Sequence, residues 1–395
     1  MSFAKKTVRD AEVAGKRALV RVDFNVPLDG GQVADDTRIR AALPTLELLR
    51  ERGAALVLVS HLGRPRGKID PALSLRPVGE RLAELLGVEV RQAPGVVGPD
   101  IEAMTADLRR GDVLLLENVR FEPGETDKDP ALAAALAALA DLYVNDAFGA
   151  AHRAHASTEG VAHRLPGYAG LLLEREVTEL TRVVDSPERP LVVVLGGAKV
   201  SDKIGVIDRF LEVADRILIG GAMCFSFFRA QGIPTGDSLV EQKGVTLAKE
   251  ALRQAESSDC ELALPVDLVL GESFDAATQR RESDEVEVPD GWMGLDVGPR
   301  TAAAYAEAIG AAGTVLWNGP MGAFELEPFA AGTRTVAEAV AAAPGTTVVG
   351  GGDSVAALHD FGLADRVDWV STGGGASLEL LEGKKLPGVE ALQDA

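Results

Sequence analysis

Short apolar runs alternate with longer amphipathic segments along most of this chain. The runs are almost continuously apolar, as expected for strands buried on both faces of a parallel sheet. The segments between them carry apolar residues at helical spacing. This alternation predicts an α/β architecture with parallel sheets. The predicted strands lie near residues 18–22, 54–59, 113–116, 191–195, 216–219, 264–270, 314–317, 346–349 and 367–370.

Three helical patterns help to divide the chain. An amphipathic helix is predicted from Arg38 to Arg52, and an Ala-rich helix from Pro130 to Ala140, for which a low-complexity linker is the alternative. A charged helical pattern lies within Leu171 to Pro190, and exposed charged helices can connect domains. The length of 395 residues suits two domains.

The amino-acid composition limits the kinds of partner that this chain is expected to bind. The chain has 60 acidic and 40 basic residues and a formal net charge of −20, so it repels polyanions as a whole. We therefore expect no nucleic acid and no anionic membrane as a partner. The N-terminal sequence lacks a signal-peptide core, and two cysteines without a CxxC pair fit a reducing cytoplasm.

Polar residues follow four apolar runs in the first half of the chain, namely three of the predicted strands and the short run Leu142–Val144. They occur in RVDFNVP (21–27), SHLGRP (60–65), ENVRF (117–121) and NDAFGAAHRAHAS (145–157). Each of these polar groups is also compatible with an ordinary turn. The carboxyl ends of parallel strands, however, meet at one edge of a sheet. We therefore expect one rim to carry Arg38, His61, Arg64, Arg120 and Arg153. Such a rim suits a phosphorylated or carboxylated metabolite, because guanidinium groups bind both anions strongly.

Glycines take over at the strand ends of the second half. LGGAKVSDKI (195–204) places Lys199 and Lys203 beside Gly196 and Gly197, and glycines let a backbone approach phosphate closely. ILIGGAM (217–223) has no charge at its strand end, which suits an adenine ring. GGGDS (350–354) offers a carboxylate for Mg²⁺ beside backbone donors. Each pattern alone is compatible with an ordinary turn. Neither a P-loop nor a GxGxxG motif occurs, so a small-molecule kinase is favoured over P-loop and Rossmann nucleotide enzymes.

Ten motifs in order resemble the phosphoglycerate kinase family. They run from Arg21 to Glu379 and cover essentially the whole chain. Three positions depart mildly from the family pattern, namely Ala150, Ala323 and Ser354. The motifs are RVDFNVP, DDTRIR, SHLGRP, ENVRF, NDAFGAAHRAHAS, LGGAKVSDKI, DGWMGLDVGP, LWNGPMGAFE, GGGDS and STGGGASLE.

The resemblance implies two doubly wound parallel-sheet domains, Rossmann-like, that face a central cleft. The N-terminal domain would comprise residues 1–172 and bind phosphoglycerate, and residues 376–395 would return to complete it. The C-terminal domain, residues 173–375, would bind the nucleotide. The implied reaction is reversible transfer of the acyl phosphate of 1,3-bisphosphoglycerate to MgADP, giving 3-phosphoglycerate and MgATP, by a cytoplasmic monomer.

The resemblance also assigns residues. Arg38, Lys203, Gly373 and Gly374 would be catalytic, and Asp353 would hold Mg²⁺. Glu325 would bind the ribose hydroxyls. Phosphoglycerate would be bound by Asp23, Phe24, Asn25, Arg38, His61, Leu62, Gly63, Arg64, Arg120 and Arg153. The nucleotide, ADP or ATP, would be bound by Lys199, Lys203, Gly221, Gly294, Asn318, Glu325, Gly351, Gly352, Asp353 and Ser354.

The chemistry of the implied reaction predicts a role for His61, and two rival functions remain as alternatives. In the ATP-consuming direction the nucleophile is a carboxylate, which needs no general base, so His61 is interpreted as a ligand-positioning donor. The rivals are a non-catalytic anion-binding or nucleotide-binding module and an acetate or carbamate kinase type of enzyme. Because the two substrates would bind to different domains, we expect the domains to close, with hinges near Glu174–Arg182 and Ser371–Ser377.

Overall fold

The computed structural model describes residues 3–395 and divides the chain into two compact units. Unit 1 runs to Thr178 and includes Lys385–Ala395, and unit 2 comprises Glu179–Lys384. Each unit contains a six-stranded parallel sheet with helices between its strands. The predicted fold class, two α/β domains with parallel sheets, is confirmed.

Unit 1 is built on the strand order β5-β6-β4-β1-β7-β8. A short antiparallel hairpin, β2–β3, lies outside this sheet. The strands are β1 Arg17–Arg21, β2 Leu28–Asp29, β3 Gln32–Val33, β4 Ala55–Val59, β5 Val90–Gln92, β6 Val113–Leu115, β7 Leu142–Asn145 and β8 Gly167–Ala169. The helices that begin in this unit are α1 Thr37–Glu51, α2 Arg76–Leu86, α3 Pro99–Ala106, α4 Pro130–Ala138, α5 Leu171–Asp185 and α13 Pro387–Glu390.

Unit 2 is built on the strand order β11-β10-β9-β15-β16-β17, with a separate three-stranded antiparallel sheet. The strands are β9 Leu191–Leu195, β10 Arg216–Ile219, β11 Glu261–Ala263, β12 Leu268–Gly271, β13 Arg280–Ser283, β14 Met293–Val297, β15 Thr314–Asn318, β16 Thr346–Gly350 and β17 Trp369–Val370. The helices are α6 Ile204–Val213, α7 Cys224–Ala230, α8 Gln242–Ala255, α9 Pro299–Gly310, α10 Ala331–Ala342, α11 Gly352–Asp360 and α12 Gly375–Leu381.

The single strand predicted near residues 264–270 is wrong. The chain forms β11 in the parallel sheet, stops, and then forms β12 in the antiparallel sheet. Pro265 lies between the two strands and has no N–H to donate to a continuing ladder. Of the predicted run, residues 264–267 form no strand, and only residues 268–270 belong to a strand, β12 of the antiparallel sheet.

The helix predicted over Arg38–Arg52 is confirmed as α1. Its apolar face packs on the unit 1 sheet, with Ile39, Leu46 and Leu49 completely buried. The Ala-rich segment is also helical, as α4. Within residues 3–395, no helix is both long and apolar enough to cross a membrane.

The predicted domain boundaries differ from the observed division by a few residues. The division falls inside α5, after Thr178, rather than at its start, and after α12 rather than before it. Helix α12 belongs to unit 2 because it packs on α6. At this contact a Cβ on Gly205 would come within 2.7 Å of Cδ of Glu382.

Asp146, from the motif that follows β7, has a structural role in this unit. Its side chain is completely buried, and Oδ1 accepts hydrogen bonds from two amides in the first turn of α5, Leu172 N at 2.9 Å and Leu173 N at 3.2 Å. Asp146 thus satisfies helix N–H groups that have no partner within the helix. Burial nevertheless raises the pKa of this carboxyl to about 6.

This raised pKa predicts a pH-dependent cost in stability. The unfolded chain ionises near the ordinary pKa of 3.8, before the folded chain does. The contribution of Asp146 to the free energy of unfolding is therefore fully present below about pH 4 and is lost as pH rises through about 6. Asp146→Asn keeps an acceptor for α5 but cannot ionise. Between pH 4 and pH 7 its stability relative to wild type should improve by up to about 3 kcal/mol in urea denaturation. A difference that does not change with pH would contradict this.

Candidate functional site

Parallel register brings the predicted cations of unit 1 together. Arg21 at the end of β1 pairs in register with Val59 of β4 and with Asn145 of β7, so the three strands end at one level. The segments that follow these strands and β6 carry the predicted polar residues. The cations lie close enough to lower the pKa of His61, as Arg21, Arg120, Arg153 and Arg38 all do.

The His61 ring is neutral, and the structure defines which of its two nitrogens carries the proton. Burial, followed by the four surrounding arginines, lowers its pKa well below the usual 6.5. Its Nδ1 lies 3.1 Å from Nη2 of Arg21. A guanidinium has only donors, so Nδ1 accepts and the ring proton is on Nε2. The ring can therefore donate through Nε2–H to an anion without carrying charge.

Asp23 and Asn25 organise the rim. Asp23 accepts a hydrogen bond from Nη1 of Arg38 at 2.9 Å in a partly buried ion pair. Asn25 Oδ1 accepts from the amide of Gly63 at 2.8 Å, which joins the loop after β1 to the loop after β4. Both side chains therefore hold other candidate residues in place.

Three of the predicted arginines line a cavity of about 470 Å³ in unit 1, namely Arg64, Arg120 and Arg153. Arg120 donates from Nη1 to the carbonyl of Gly63 at 2.7 Å. Burial, with the nearby charges of Arg153 and Arg21, lowers the pKa of Arg120 to about 10, so it stays protonated at neutral pH. Arg66 lines the same cavity but was not singled out from the sequence.

Phe24 and Leu62, although predicted to bind substrate, have their side chains in the apolar core. Their amides are also engaged, because Phe24 N donates to Oγ of Ser60 and Leu62 N donates to Oδ1 of Asn118. The structure therefore does not bring these side chains to the rim beside the arginines.

Asn118 is another residue close to these arginines that the predicted set of site residues does not include. It is completely buried, and its Nδ2 donates to the carbonyls of Leu62 (2.7 Å) and Leu73 (2.9 Å). Its Oδ1 accepts from the amides of Leu62 and Arg120. Asn118 therefore fixes the loop that carries His61 against the turn that carries Arg120. The polar residues of ENVRF at a strand end were the available signal.

In unit 2 the strand ends are held together by direct contact between backbones. Gly196 N donates to the carbonyl of Asn318 at 3.0 Å, and Gly197 N donates to Pro320 O at 3.0 Å. Gly221 has a φ of +64°, and a Cβ there would lie 2.4 Å from Gly197 N. Only glycine gives both this conformation and this approach.

Two neighbouring cavities lie over these glycines. The larger, of about 760 Å³, has a wall of Phe225, Leu239, Phe274 and Met293 and also contacts predicted residues. Those predicted residues are Gly221, Gly294, Glu325 and Asp353. Gly294 packs on the ring of Phe225, where a Cβ would come within 2.1 Å of Cζ.

The smaller cavity, of about 270 Å³, is polar. It shares Gly197, Ala198 and Asp353 with the larger one, so an apolar compartment adjoins a polar one. The predicted residues that line it are Lys199, Lys203, Asn318, Gly351, Gly352, Asp353 and Ser354.

Lys203 is the buried cation of this polar cavity. Its Nζ donates to the backbone carbonyl of Asn318 at 2.5 Å and to Oδ1 of the same residue at 2.6 Å. Burial lowers the pKa of Lys203 to about 7, although the charges of Asp353 and Asp202 act in the opposite direction. Lys199, in contrast, is exposed.

The start of α11 presents one exposed acid and one buried hydroxyl. Gly351, with a φ of +89°, precedes the helix, and Asp353 is exposed in its first turn. Ser354 is completely buried, and its Oγ accepts from the amide of Gly319 at 2.5 Å. The hydroxyl of Ser354 therefore already has a structural contact.

The predicted pair Gly373 and Gly374 precedes α12. Gly373 N donates to Oγ of Ser371 at 3.2 Å, and Gly374 has a φ of +51°. Of the α12 segment, as far as residues 3–395 show it, Leu378 lines the polar cavity and these two glycines do not.

Comparisons with known proteins agree over nearly the whole chain. A sequence model of the family described as phosphoglycerate kinase matches residues 8–384. The chain is 58% identical over 397 residues to "Phosphoglycerate kinase" of Chloroflexus aurantiacus, covering 99% of each protein. It is 56% identical over 395 residues to the protein of that name in Roseiflexus sp. strain RS-1, covering 100% of each.

Solved structures show the same similarity. The structure of phosphoglycerate kinase from Coxiella burnetii matches with a TM-score of 0.87 and 39% identity, covering 98% of each chain. That from Pyrococcus horikoshii OT3 matches with a TM-score of 0.85 and 32% identity, also covering 98% of each.

The glycine packing in unit 2 predicts a sharp difference between two alanine substitutions. Gly221→Ala adds strain at positive φ and a clash with Gly197 N. Gly232→Ala is the matched control, because its φ is +80° but nothing lies within 4 Å of an added Cβ. We expect Gly232→Ala to lower the free energy of unfolding by about 1 kcal/mol and Gly221→Ala by at least about 2 kcal/mol more. Equal losses in denaturant titrations would contradict the packing argument.

Proposed function

This chain belongs to the phosphoglycerate kinase family, and from that premise we propose that it reversibly transfers the acyl phosphate of 1,3-bisphosphoglycerate to MgADP, giving 3-phosphoglycerate and MgATP. The proposal includes a monomeric enzyme in the cytoplasm. Two buried free thiols, Cys224 and Cys260, agree with a reducing compartment. The rest of the proposal concerns which residues bind each substrate and how the transfer proceeds.

The cation cluster of unit 1 is the observation that carries the proposal. It comprises the four arginines Arg38, Arg64, Arg120 and Arg153 around the neutral donor His61, in a protein whose net charge is −20. A ligand with a phosphate at one end and a carboxylate or acyl phosphate at the other has enough negative charge to pair with all of these arginines. An acetate or carbamate kinase type of substrate carries no second phosphate and would leave most of the cluster without a purpose.

We assign the nucleotide to the adjoining cavities of unit 2. The apolar compartment beside Gly221 and Gly294 suits the purine base, and Glu325 at its edge suits the ribose hydroxyls. The polar compartment suits the phosphates, because it contains Lys199, Lys203 and the start of α11.

Asp353 is the residue that we propose for Mg²⁺. Within residues 3–395, no group of three or more His, Cys, Asp or Glu side chains is arranged to hold a metal ion. Mg²⁺ often binds through one or two carboxylates together with substrate phosphates and water. Two exposed carboxylates, Asp202 and Asp353, border the polar cavity, and binding through the one at the start of α11 fits this mode. The ion, when bound, would neutralise charge on the nucleotide phosphates.

The chemistry that we propose needs charge and alignment rather than proton transfer. The attacking group is the carboxylate of 3-phosphoglycerate, with a pKa of roughly 3.5, so no general base is required. Arg38 would exchange its contact with Asp23 for the migrating phosphoryl group, and Lys203 would exchange its contacts with Asn318. Backbone N–H groups of Gly373 and Gly374 would bind the equatorial oxygens, once Gly373 N leaves Oγ of Ser371. Neutral His61 would donate Nε2–H to the bound phosphoglycerate.

A coupled assay of ATP consumption that depends on 3-phosphoglycerate tests the proposed function. Acetate and carbamate serve as alternative acceptors in parallel samples. Turnover only with 3-phosphoglycerate supports the proposal. Turnover with acetate or carbamate favours the acyl-phosphate rival, and nucleotide binding without turnover favours a non-catalytic module.

Arg38→Ala should reduce kcat by about 100- to 1000-fold while the KM for ATP changes little, because Arg38 would act on the migrating group. Arg40→Ala is the matched control on the same helix. Arg40 is exposed and pairs with Asp36, so its loss should leave kcat within about twofold. Steady-state kinetics measure both. An Arg38 variant that keeps more than a tenth of wild-type kcat would overturn its catalytic assignment.

Asp353→Ala should raise the KM for MgATP and lower kcat, and leave the KM for 3-phosphoglycerate nearly unchanged, because the carboxylate would anchor the metal. Asp360→Ala, at the other end of α11, is the control and should not alter metal dependence. Titrations of activity against Mg²⁺ compare the two variants. An unchanged Mg²⁺ dependence in Asp353→Ala would show that this carboxylate serves the helix terminus instead.

A further inference from the structure

A chain of buried polar groups lies behind the cation cluster of unit 1. Arg21, Glu125 and Ser157 are completely buried. Oγ of Ser157 accepts from Nε of Arg21 at 2.8 Å and donates to Oε1 of Glu125 at 2.7 Å. Oε2 of Glu125 accepts from Ser157 N at 2.9 Å. A buried cation and a buried anion are thus linked through one hydroxyl, as buried charges require.

This series of hydrogen-bonded polar groups ends at His61. Arg21 donates from Nη1 to the carbonyl of Val22 and from Nη2 to Nδ1 of His61. The guanidinium is planar and has only donors, so its orientation determines which ring nitrogen must accept. Asp23 does not compete for Nδ1 at hydrogen-bond distance, since its Oδ1 is 3.9 Å away. Arg21 alone therefore fixes the His61 tautomer from this side.

Glu125 also anchors the turn that follows Arg153. The π-helical turn Ala156–Gly160 begins with Ala156 N donating to the backbone carbonyl of Glu125 at 2.9 Å. Nδ1 of His155 lies 3.6 Å from Oε1 of Glu125. π-Helical turns are frequent at functional sites. One residue thus contacts this turn through both its backbone and its carboxylate.

Glu125 supplies negative charge where the site concentrates positive charge. Burial opposes ionisation of Glu125, but its contacts with His155 and Ser157 and the charge of Arg21 lower its pKa below the usual value. Its charge in turn favours the protonated form of Arg120. The carboxylate is therefore ionised and acts as the counterion of the buried arginines.

We propose that Glu125 and Ser157 are positioning residues that hold Arg21 against Nδ1 of His61, so that the neutral ring keeps Nε2–H as its donor toward the anionic substrate. The part that concerns substrate rests on the proposed function. The part that concerns the tautomer does not. Neither Glu125 nor Ser157 is assigned a contact with substrate.

Nitrogen-15 NMR of the full-length protein labelled at histidine tests the tautomer directly. The spectrum separates protonated from unprotonated ring nitrogens, and the His61→Gln variant identifies the His61 signals. We expect a single Nε2–H form in wild type at pH 7. A wild-type His61 with its proton on Nδ1 would overturn the proposal, whether or not the protein phosphorylates 3-phosphoglycerate.

Ser157→Ala removes the hydroxyl that links Arg21 to Glu125. We expect mixed His61 tautomers and a KM for 3-phosphoglycerate raised about tenfold, with kcat and the KM for ATP within about twofold. Ser157→Thr, which keeps the hydroxyl, should restore both properties. Thr105→Ala is the control for a lost buried hydroxyl, because the hydroxyl of Thr105 donates to the carbonyl of Glu102 within the same helix, α3.

The possible results distinguish a role of Ser157 in positioning Arg21 and His61 from a role in stability alone. If Ser157→Ala is destabilised like Thr105→Ala but keeps the wild-type tautomer and KM, the proposal is wrong. If Ser157→Ala does not fold, Glu125→Gln replaces it, with the same expected tautomer mixture and KM change. If wild type shows no kinase activity, the proposed function fails, and the spectra of the same variants still decide the tautomer claim.

Discussion

The parallel alignment of strands is the constraint on which both candidate sites depend. In each unit, neighbouring strands end at one level, as Asn318 does beside Leu195 and Gly350. Residues that follow different strands, far apart in sequence, therefore meet at one edge of the sheet. The loops after these strands do not take part in the hydrogen bonding of the sheet. Their side chains and backbone groups are therefore available for other contacts.

The two units use this edge in different ways. Unit 1 gathers arginines and balances them with the half-buried carboxylate of Asp23 and the buried carboxylate of Glu125, which makes a local positive site in an acidic protein. Unit 2 instead brings glycine backbones into contact, as at Gly197 and Gly221, and leaves room above them for a large flat group. The first arrangement suits a ligand with several negative charges, and the second suits a flat apolar group.

The sequence by itself determined the class of fold and predicted most members of both candidate sites. Continuous apolar runs with polar ends are a local signal, because a strand buried on both faces excludes polar residues until it stops. His61, Arg120 and Lys203 could therefore be predicted as candidate site residues from their positions after strands, and Arg38 from its position at the start of a helix. The ten ordered motifs also indicated the family without any knowledge of contacts.

Only the tertiary structure decided what several of these residues do. Asp146 caps a helix, and Phe24 and Leu62 pack in the core, although each follows a strand as the candidate binding residues do. The roles of Arg21 and Asn118 rest on contacts such as that between Arg21 and Ser157, 136 residues apart. The charge and tautomer of His61 follow from burial and from neighbours on other strands. A local pattern cannot encode such properties, because they arise from groups that only folding brings together.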